Sequence, residues 1–340
     1  MKDSLRNKVV VITGASSGIG RSIALESAGR GATVILIARR KDQLDEIAAE
    51  AKELSGAEAY VFPTDMGKPE EIEQTFNAIT KQVKHIDFLV NCAGFGKFEE
   101  FMDQKMQDVT NMFQVNVLGL MYFTRLVGRV MMEQKTGQII NFGSIAGKVP
   151  TTKSAAYSSS KAAVIQFSNV LRLELKPFGV KVMTVNPGPV YTNFLNVADK
   201  TGNYVKNVQE FMLDPDDVAW QVVHFFGSDK RELNLPLSLA VAAKLYNLFP
   251  SIGDKISLKF ASRNLIIGSV VALIAVIFVV LNTSPVAINF GFFKVRLLLI
   301  VVLVVMVIIG MIIAWFFGRD TKEKTDHKVT FFNKKEKKIE

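Results

Sequence analysis

Short apolar runs alternate with longer amphipathic stretches over the first 250 residues of the chain. Short runs rich in valine and isoleucine are typical of strands buried on both faces of a sheet. They predict strands at residues 9–12, 33–37, 59–62, 88–90, 138–141 and 180–185, with a last short strand at 233–235. This alternation predicts an α/β fold, a Rossmann-type doubly wound parallel sheet with helices on both faces and a ligand crevice at the carboxyl ends of its strands.

The spacing of apolar residues between the strands predicts helices over residues 21–29, 152–176 and 240–249. Residues 252–263 form a further amphipathic bridge. The segment 193–213 has a mixed, loop-like pattern. Its larger apolar side chains either form a lid over a substrate or belong to the core; they are Phe194, Leu195, Tyr204 and Phe211.

The last quarter of the chain has a different pattern. No charged residue lies between Leu265 and Leu281, and a second uncharged run extends from Leu297 to Phe317. The second run is long enough to span a bilayer, and the first is long enough if flanking residues 256–264 extend it or the bilayer thins. We predict a two-helix transmembrane hairpin at about 264–281 and 297–317, since two buried core helices would need a large surrounding protein.

These patterns divide the chain into a nucleotide-binding domain at 1–250, a linker at 251–263, a membrane hairpin at 264–318 and a charged tail at 319–340. The first residues lack the apolar stretch of a secretory signal. Lys255, Lys259 and Arg263 precede the first span, so the positive-inside rule predicts a multi-pass protein of the cell membrane with its catalytic domain and tail in the cytoplasm. The basic tail is either lipid-facing or an ordinary disordered segment.

The net charge of +9 does not indicate nucleic acid, because the basic residues are scattered and form no stripe with aromatics. Cys92 is the only cysteine, which excludes an intramolecular disulfide. His85, His224 and His327 lie far apart in the sequence without the spacing of metal ligands. We therefore expect no metal site.

A glycine-rich segment follows the first predicted strand. Gly14, Gly18 and Gly20 follow a G-x-x-x-G-x-G spacing, which differs from the common G-x-G-x-x-G of dinucleotide sites. A strand, a glycine turn and a helix N-terminus together direct amide donors and the positive end of the helix dipole at a phosphate. On its own, the segment is equally consistent with a simple tight turn.

Tyr157 and Lys161 lie four residues apart within the predicted helix 152–176, so they share one helix face. A free tyrosine has a pKa of about 10, and a neighbouring cation lowers it by favouring the phenolate. The pair therefore has the composition of a general acid/base.

In order and spacing, the glycine turn, the tetrapeptide Asn91-Cys92-Ala93-Gly94, Asn116, Ser144, the Tyr157/Lys161 pair and Pro187-Gly188 resemble the short-chain dehydrogenase/reductase family over about residues 5–250. The resemblance implies hydride transfer between a nicotinamide and a carbonyl carbon while Tyr157 protonates the oxygen. It implies that Ser144 positions the carbonyl, that Lys161 lowers the tyrosine pKa and binds ribose, and that Asn116 anchors a water. Taken alone, Ser144 is equally a helix cap and Asn116 a helix-interior residue bonded to a local carbonyl.

The segment Ala38-Arg39-Arg40 follows the second predicted strand, where an acidic residue would accept from a ribose hydroxyl. No carboxylate is present and arginine suits a phosphate, so NADP(H) is the predicted cofactor. The alternative is a solvated loop. The predicted cofactor-binding residues are Gly14, Ser16, Ser17, Gly18, Ile19, Gly20, Arg39, Arg40, Asp65, Asn91, Ala93, Gly94, Tyr157, Lys161, Pro187, Gly188 and Thr192. Of these, Asp65 on its own is a turn residue, and the family resemblance implies its place beside the adenine.

The segment around Pro285, between the two apolar runs, resembles the hairpin of lipopolysaccharide-assembly protein A-like domains over about residues 263–318. Neither run carries an ionisable residue, which makes anchoring its simplest role. Two functions remain open. One is a membrane-tethered NADPH-dependent carbonyl reductase, with a lipid-like substrate and, as the family implies, a homo-oligomeric state. The other is a membrane assembly or scaffolding protein whose first domain binds nucleotide without catalysis.

Overall fold

The computed structural model describes residues 4–199, 208, 212–259, 285–289 and 294–298. The chain separates into two compact units, Met1–Leu258 and Lys259–Glu340. The first unit contains all the predicted site residues.

A seven-stranded parallel sheet forms the centre of the first unit, with its strands in the order β3-β2-β1-β4-β5-β6-β7. The strands are β1 (Val9–Thr13), β2 (Thr33–Ala38), β3 (Ala59–Pro63), β4 (Phe88–Asn91), β5 (Gly137–Phe142), β6 (Val180–Pro187) and β7 (Glu232–Leu235). The sequence order reverses beside β1, which places the crevice of a doubly wound sheet at the carboxyl ends of β1 and β4.

Helices connect the strands. They are α1 (Gly18–Gly29), α2 (Lys41–Ser55), α3 (Pro69–Gln82), α4 (Met106–Phe113), α5 (Leu120–Gln134), α6 (Ala155–Leu175), α7 (Asn193–Ala198), α8 (Pro215–His224), α9 (Leu237–Leu248) and α10 (Pro250–Lys259). A π-helical segment, Gln114–Gly119, joins α4 to α5, and a short 3-10 turn, Ile145–Gly147, follows β5.

Alternate residues of each central strand pack on opposite sides of the sheet, because successive side chains of a strand point to opposite faces. Val10 and Ile12 of β1 belong to one apolar cluster, which includes Ile23 of α1. Val11 belongs to the other, together with Phe123 of α5. The core is thus two apolar layers, one on each face of the sheet.

The predicted fold class is confirmed for this unit, since the parallel sheet and its flanking helices are present. Every predicted strand forms, and several extend by one or two residues at an end. The first predicted helix begins three residues earlier than expected, at Gly18, because the extended backbone of Ser17 (φ −167°, ψ 169°) already forms its N-cap. The loop-like segment 193–213 contains a short helix, α7.

In the second unit, Pro285–Asn289 (β8) and Lys294–Leu298 (β9) form an antiparallel pair. Leu297 pairs with Val286 in this ladder, so the predicted second span does not begin at Leu297. Alternating charged and apolar residues at 294–297 follow the two-residue period of a strand, which explains the shift. Among the described residues, no helix is long and apolar enough to cross a membrane. The predicted first span, the rest of the second and the tail at 319–340 lie outside those residues.

Candidate active site

The turn between β1 and α1 is shaped by three close approaches. Gly14 has a φ of +72°, and a Cβ there would lie 2.8 Å from the Cα of Ala93. A Cβ on Gly18, whose φ is +55°, would lie 3.0 Å from the Thr192 methyl group, and one on Gly20 would lie 2.3 Å from the Gly14 carbonyl oxygen. Each contact leaves room for hydrogen only, so side chains are excluded here.

The N-terminus of α1 lies at this turn. Ser17 is its N-cap residue but makes no side-chain capping bond, and no acidic residue occurs in the first helical turn. Ile19, in that turn, is half-buried and packs on the core. The first-turn amides therefore have no side-chain acceptor within α1, which fits a site for the pyrophosphate of a dinucleotide.

An arginine from the end of β2 reaches the same turn. Arg40 Nη2 donates to Ser16 Oγ at 3.1 Å and to Ser17 Oγ at 3.0 Å. Arg39 and Arg40 are both exposed. The structure thus brings Arg40 into contact with the predicted cofactor-binding residues Ser16 and Ser17.

Asp65 follows β3 and forms a turn. Its Oδ1 accepts from the Gly67 amide at 2.9 Å, and its own amide donates to Glu71 Oε2 at 2.8 Å. This is the local turn role that its sequence position alone suggested.

The segment after β4 is held by buried polar contacts. Asn91 Nδ2 donates to Thr124 Oγ1 at 2.8 Å and to Asn141 Oδ1 at 2.9 Å, tying β4 to α5 and β5. Its Oδ1 is buried with no hydrogen-bond partner among the described residues. The amide of Ala93 donates to Thr13 Oγ1 at 3.1 Å. The side chain of Asn91 is therefore part of the scaffold under the crevice.

Asn116 lies in the π-helical segment and is fully buried. Its Oδ1 accepts from the Phe95 amide at 3.0 Å, and its Nδ2 donates to the Phe95 carbonyl at 2.9 Å and to Ser160 Oγ at 3.1 Å. A Cβ on Gly94 would lie 3.0 Å from Asn116 Oδ1 and 3.5 Å from Lys161 Nζ. Gly94 thus lies next to both Asn116 and Lys161, two of the predicted catalytic residues.

Ser144 follows β5 and is buried. Its hydroxyl donates to the Pro187 carbonyl at 3.3 Å and accepts from the Ala146 amide at 3.1 Å. The second bond is a cap on the short turn Ile145–Gly147. The hydroxyl is therefore fixed between β5 and β6, at the carboxyl edge of the sheet.

Tyr157 and Lys161 both lie on α6 and are buried. Lys161 Nζ lies 5.9 Å from the centre of the Tyr157 ring and donates to the Phe142 carbonyl at 2.8 Å. Burial lowers the pKa of Lys161 to about 8 from its ordinary 10.5. The ammonium is thus held between β5 and the tyrosine.

Two further aromatics surround the tyrosine. The ring centre of Tyr157 lies 5.6 Å from that of Phe98 and 5.6 Å from that of Phe194. The Phe98 amide donates to the Ala198 carbonyl at 2.8 Å, which joins the segment after β4 to α7. Sequence reasoning missed Phe98, because its contacts with Tyr157 and Phe194 join segments that are far apart in the chain.

The segment after β6 closes the remaining side. The amide of Gly188 donates to the Leu235 carbonyl at 2.7 Å. Thr192 Oγ1 makes only a long contact of 3.4 Å with the Val190 carbonyl, while its methyl faces Gly18 as described above. Leu195 is buried. Tyr204 and Phe211, the other predicted lid residues, lie outside the described residues.

The predicted residues therefore gather along one edge of the sheet, at the carboxyl ends of β1 through β6. The turn after β1 and the arginine after β2 lie at one end, and Ser144, Tyr157, Lys161 and Asn116 lie at the other. Within the described ranges no group of three histidine, cysteine or acidic side chains could hold a metal ion.

This geometry is that of a nicotinamide-dependent oxidoreductase, and the sequence profile of the short chain dehydrogenase family matches residues 8–202. The chain belongs to that family, whose members act on CH–OH and C=O groups. It is 33% identical over 220 residues to an uncharacterized oxidoreductase of Staphylococcus aureus strain MRSA252, a match that covers 65% of this chain and 91% of that protein.

Solved structures resemble the same part of the chain. A short-chain dehydrogenase from Sphingobium yanoikuyae in complex with NADPH is 28% identical, with a TM-score of 0.63, and the match covers 74% of this chain and 95% of the other. A 3-ketoacyl-(acyl-carrier-protein) reductase from Brucella melitensis with NADH is 26% identical, with a TM-score of 0.62, covering 68% and 98%. The fold therefore binds NAD(P)(H), and its relatives include proteins with either cofactor.

Proposed function

We propose that this protein is a membrane-attached oxidoreductase that uses NADP(H) to interconvert an apolar carbonyl compound and its alcohol. The observation that carries the cofactor choice is the contact of Arg40 with Ser16 and Ser17 beside the glycine turn. A guanidinium and two hydroxyls converge there, and β2 ends in Ala38 instead of a carboxylate. Such a group favours a 2′-phosphate, which an acidic residue would repel.

The bound nicotinamide supplies or accepts a hydride. The chain's own residues would then position the carbonyl and handle the proton. Ser144 Oγ is held in place by its bonds to Pro187 and Ala146, and it would donate to a substrate carbonyl by turning its single proton away from the long 3.3 Å contact with the Pro187 carbonyl. Tyr157 would transfer the proton, with the ammonium of Lys161 as the neighbouring cation. Asn116 would act through the Phe95 backbone and Ser160, which it holds in place.

The preference for an apolar substrate rests on the aromatic side chains around Tyr157. Phe98 and Phe194 flank its ring, and Ala146 and Ala156 belong to the same apolar cluster. A carbonyl bound at the tyrosine hydroxyl would have this apolar cluster as its neighbour. A substrate with alkyl or aryl groups next to the carbonyl would bury them here, at about 25 cal/mol per Å² of apolar area.

Membrane attachment is supported by the sequence. The uncharged runs at 265–281 and 297–317 follow the catalytic unit, and basic residues flank the first run. Attachment would keep the crevice close to lipid-soluble carbonyl compounds. Flotation of the full chain with vesicles after an alkaline wash tests this proposal. Recovery of the protein in the aqueous fraction would refute it.

The proposed reaction is tested by following NADPH and NADH oxidation with short-chain and long-chain ketones and aldehydes. We expect turnover with NADPH. Tyr157→Phe should lower kcat by about 10²- to 10⁴-fold while nucleotide still binds, because a general acid contributes about that much. NADPH binding without turnover in the wild type would instead support the non-catalytic scaffold.

The cofactor choice is tested separately with Arg40→Ala. We expect NADPH affinity to fall by about ten- to a hundredfold, since a hydrogen bond to a charged group contributes about 1.5–3 kcal/mol, while NADH affinity hardly changes. Lys52→Ala, which removes a positive charge from the far end of the following helix α2, is the matched control. Comparable losses in Arg39→Ala and Arg40→Ala would assign the phosphate to both arginines, and no loss in either would refute the NADP(H) choice.

A further inference from the structure

The outer surface of α9 is apolar. Leu237, Val241, Leu245 and Leu248 recur at intervals of three or four positions, so they lie along one face of the helix. All four are exposed, Leu237 at 77% and Leu248 at 69%. Single exposed leucines are ordinary, but a continuous row of them marks an interaction surface.

The opposite face of α9 packs on the catalytic unit. Ala243 is buried there. A Cβ on Gly188 would lie 2.7 Å from Leu239 Cδ1, so this inner face contacts the segment after β6 that borders the crevice. One helix therefore has its inner side against the candidate active site and its apolar outer side in solvent.

Two further apolar residues are exposed at the turn from α9 into α10. Phe249 and Ile252 are both exposed, Ile252 at 59%. The turn is tightly built, because Tyr246 Oη donates to Asp254 Oδ1 at 2.8 Å and a Cβ on Gly253 would lie 2.3 Å from the Tyr246 ring. We call Leu237, Val241, Leu245, Leu248, Phe249 and Ile252 the α9–α10 apolar surface.

We propose that the α9–α10 apolar surface lies in the interfacial layer of a lipid bilayer. This deepens the membrane attachment proposed above and depends on it. The uncharged run at 265–281 begins six residues after the end of α10, so insertion of that run would bring this surface to the bilayer. Lys244 lies on α9, and Lys255, Lys259 and Arg263 follow in the sequence before the uncharged run, which suits anionic headgroups.

The same placement has a consequence for the reaction. Since the inner face of α9 contacts Gly188, a bilayer on its outer face would lie one helix away from the crevice. A carbonyl compound dissolved in the membrane could then reach Tyr157 and its aromatic neighbours after a short transfer. The surface thus serves substrate supply as well as attachment.

Photocrosslinking of the full chain tests the proposal. The photoreactive residue p-benzoylphenylalanine replaces Leu248 in one variant and Asn247, which is exposed but lies off the row, in the matched control. Both are reconstituted in vesicles of phosphatidylethanolamine and phosphatidylglycerol, irradiated and digested. We expect lipid adducts at position 248 and about tenfold fewer at position 247. Transfer of an apolar side chain at least as large as leucine from water into lipid favours the inserted position by more than about tenfold.

Flotation and NADPH oxidation of a short soluble aldehyde are measured on the same samples. Adducts at 248 to a second copy of the chain would overturn the proposal in favour of a dimer. A chain that floats without lipid adducts at position 248, or with equal adducts at both positions, would refute the placement of the α9–α10 apolar surface in the bilayer. Membrane attachment itself would still stand. A chain that does not float would overturn both, and turnover of the aldehyde reports separately on the reductase.

A double variant, Leu245→Glu with Leu248→Glu, keeps the test independent of crosslinking yield. We expect turnover of a long-chain ketone carried in the same vesicles to fall by about tenfold, while turnover of the short aldehyde stays at its wild-type rate. Asn247→Glu adds a charge off the row and should change neither rate. Equal losses for the two substrates in the double variant would contradict the proposal.

Discussion

The two ends of the candidate active site are built by different means. At the nucleotide end, Gly14, Gly18 and Gly20 define the turn by leaving out side chains, and the backbone approaches its neighbours at distances that no Cβ tolerates. At the catalytic end, Asn116 and Lys161 define the site by their buried polar side chains.

The difference predicts opposite responses to mutation. Adding a methyl group to Gly14 should destabilise the fold at the nucleotide end, and removing the buried hydrogen-bonding side chain of Asn116 should destabilise it at the catalytic end. Four comparisons of variants test this contrast.

The first concerns the charge of Lys161, whose pKa burial lowers to about 8. Below pH 8 both the folded and the unfolded chain carry this proton, and the folded state bears the full cost of burying it. Between pH 8 and 10.5 only the unfolded chain keeps the proton, so the free energy of unfolding should rise with pH by about 3 kcal/mol.

Lys161→Met should abolish that rise. Denaturant unfolding of both proteins without nucleotide, from pH 7 to 10.5, gives the difference directly. The Met variant also leaves the Phe142 carbonyl without its donor, but that loss does not depend on pH. Parallel curves of unfolding free energy against pH for the two proteins would mean that the Lys161 ammonium is well solvated. The catalytic end would then not depend on a buried charge.

The second prediction concerns Asn116→Ala, which removes hydrogen bonds to both backbone groups of Phe95 and one to Ser160. We expect a loss of about 2–3 kcal/mol in the free energy of unfolding, because buried partners are left unpaired. Asn111→Ala, at an exposed position of the preceding helix α4, is the control and should stay within about 0.5 kcal/mol. Similar losses in both would show that Asn116 is not a structural tie.

The backbone features of the molecule were easier to predict from the sequence than the contacts between its side chains. The sheet, its strands and the glycine turn were predictable because burial on both faces and the need for positive φ leave direct marks in the residue pattern. The contact of Arg40, and not Arg39, with Ser16 and Ser17 was not predictable, since the two arginines are adjacent and only the path of the loop decides which one reaches the serines.

Long-range contacts were also beyond the sequence. Phe98 meets Phe194 and Tyr157 from three separate segments, and no local pattern signals such a meeting. The π-helical segment around Asn116 was not predicted, because the residue pattern shows which positions are apolar and not which carbonyl each backbone amide bonds to. Residues 294–296 were predicted as part of the loop between the two spans, whereas the structure places them in β9.

The third prediction adds a methyl group at the nucleotide end. Gly14→Ala should cost about 2 kcal/mol in the free energy of unfolding, because a Cβ is disfavoured at φ +72° and would lie 2.8 Å from the Ala93 backbone. Gly29→Ala, where no atom lies within 4 Å of the added carbon, should instead stabilise by about 0.5–1 kcal/mol. If thermal unfolding shows equal effects for Gly14→Ala and Gly29→Ala, the close approach of the Ala93 backbone does not exclude a side chain at Gly14.

The fourth prediction concerns the N-caps of α8 and α1, where we expect the smallest changes in the free energy of unfolding. Asp214 caps α8, accepting from the Asp216 amide at 2.7 Å, so Asp214→Ala should cost about 1 kcal/mol in the free energy of unfolding. Ser17 makes no such bond at the start of α1, so Ser17→Ala should cost less than about 0.5 kcal/mol without nucleotide.

For NADPH binding, Ser17→Ala should instead have the larger effect of the two variants. Ser17→Ala should then weaken nucleotide affinity, measured by titration calorimetry, while Asp214→Ala leaves it unchanged, because only Ser17 lies at the helix end that faces the phosphates and bonds to Arg40. A capping loss at Ser17 as large as at Asp214 in the free protein would mean that its hydroxyl serves the helix. The nucleotide end would then depend on side chains as much as the catalytic end does.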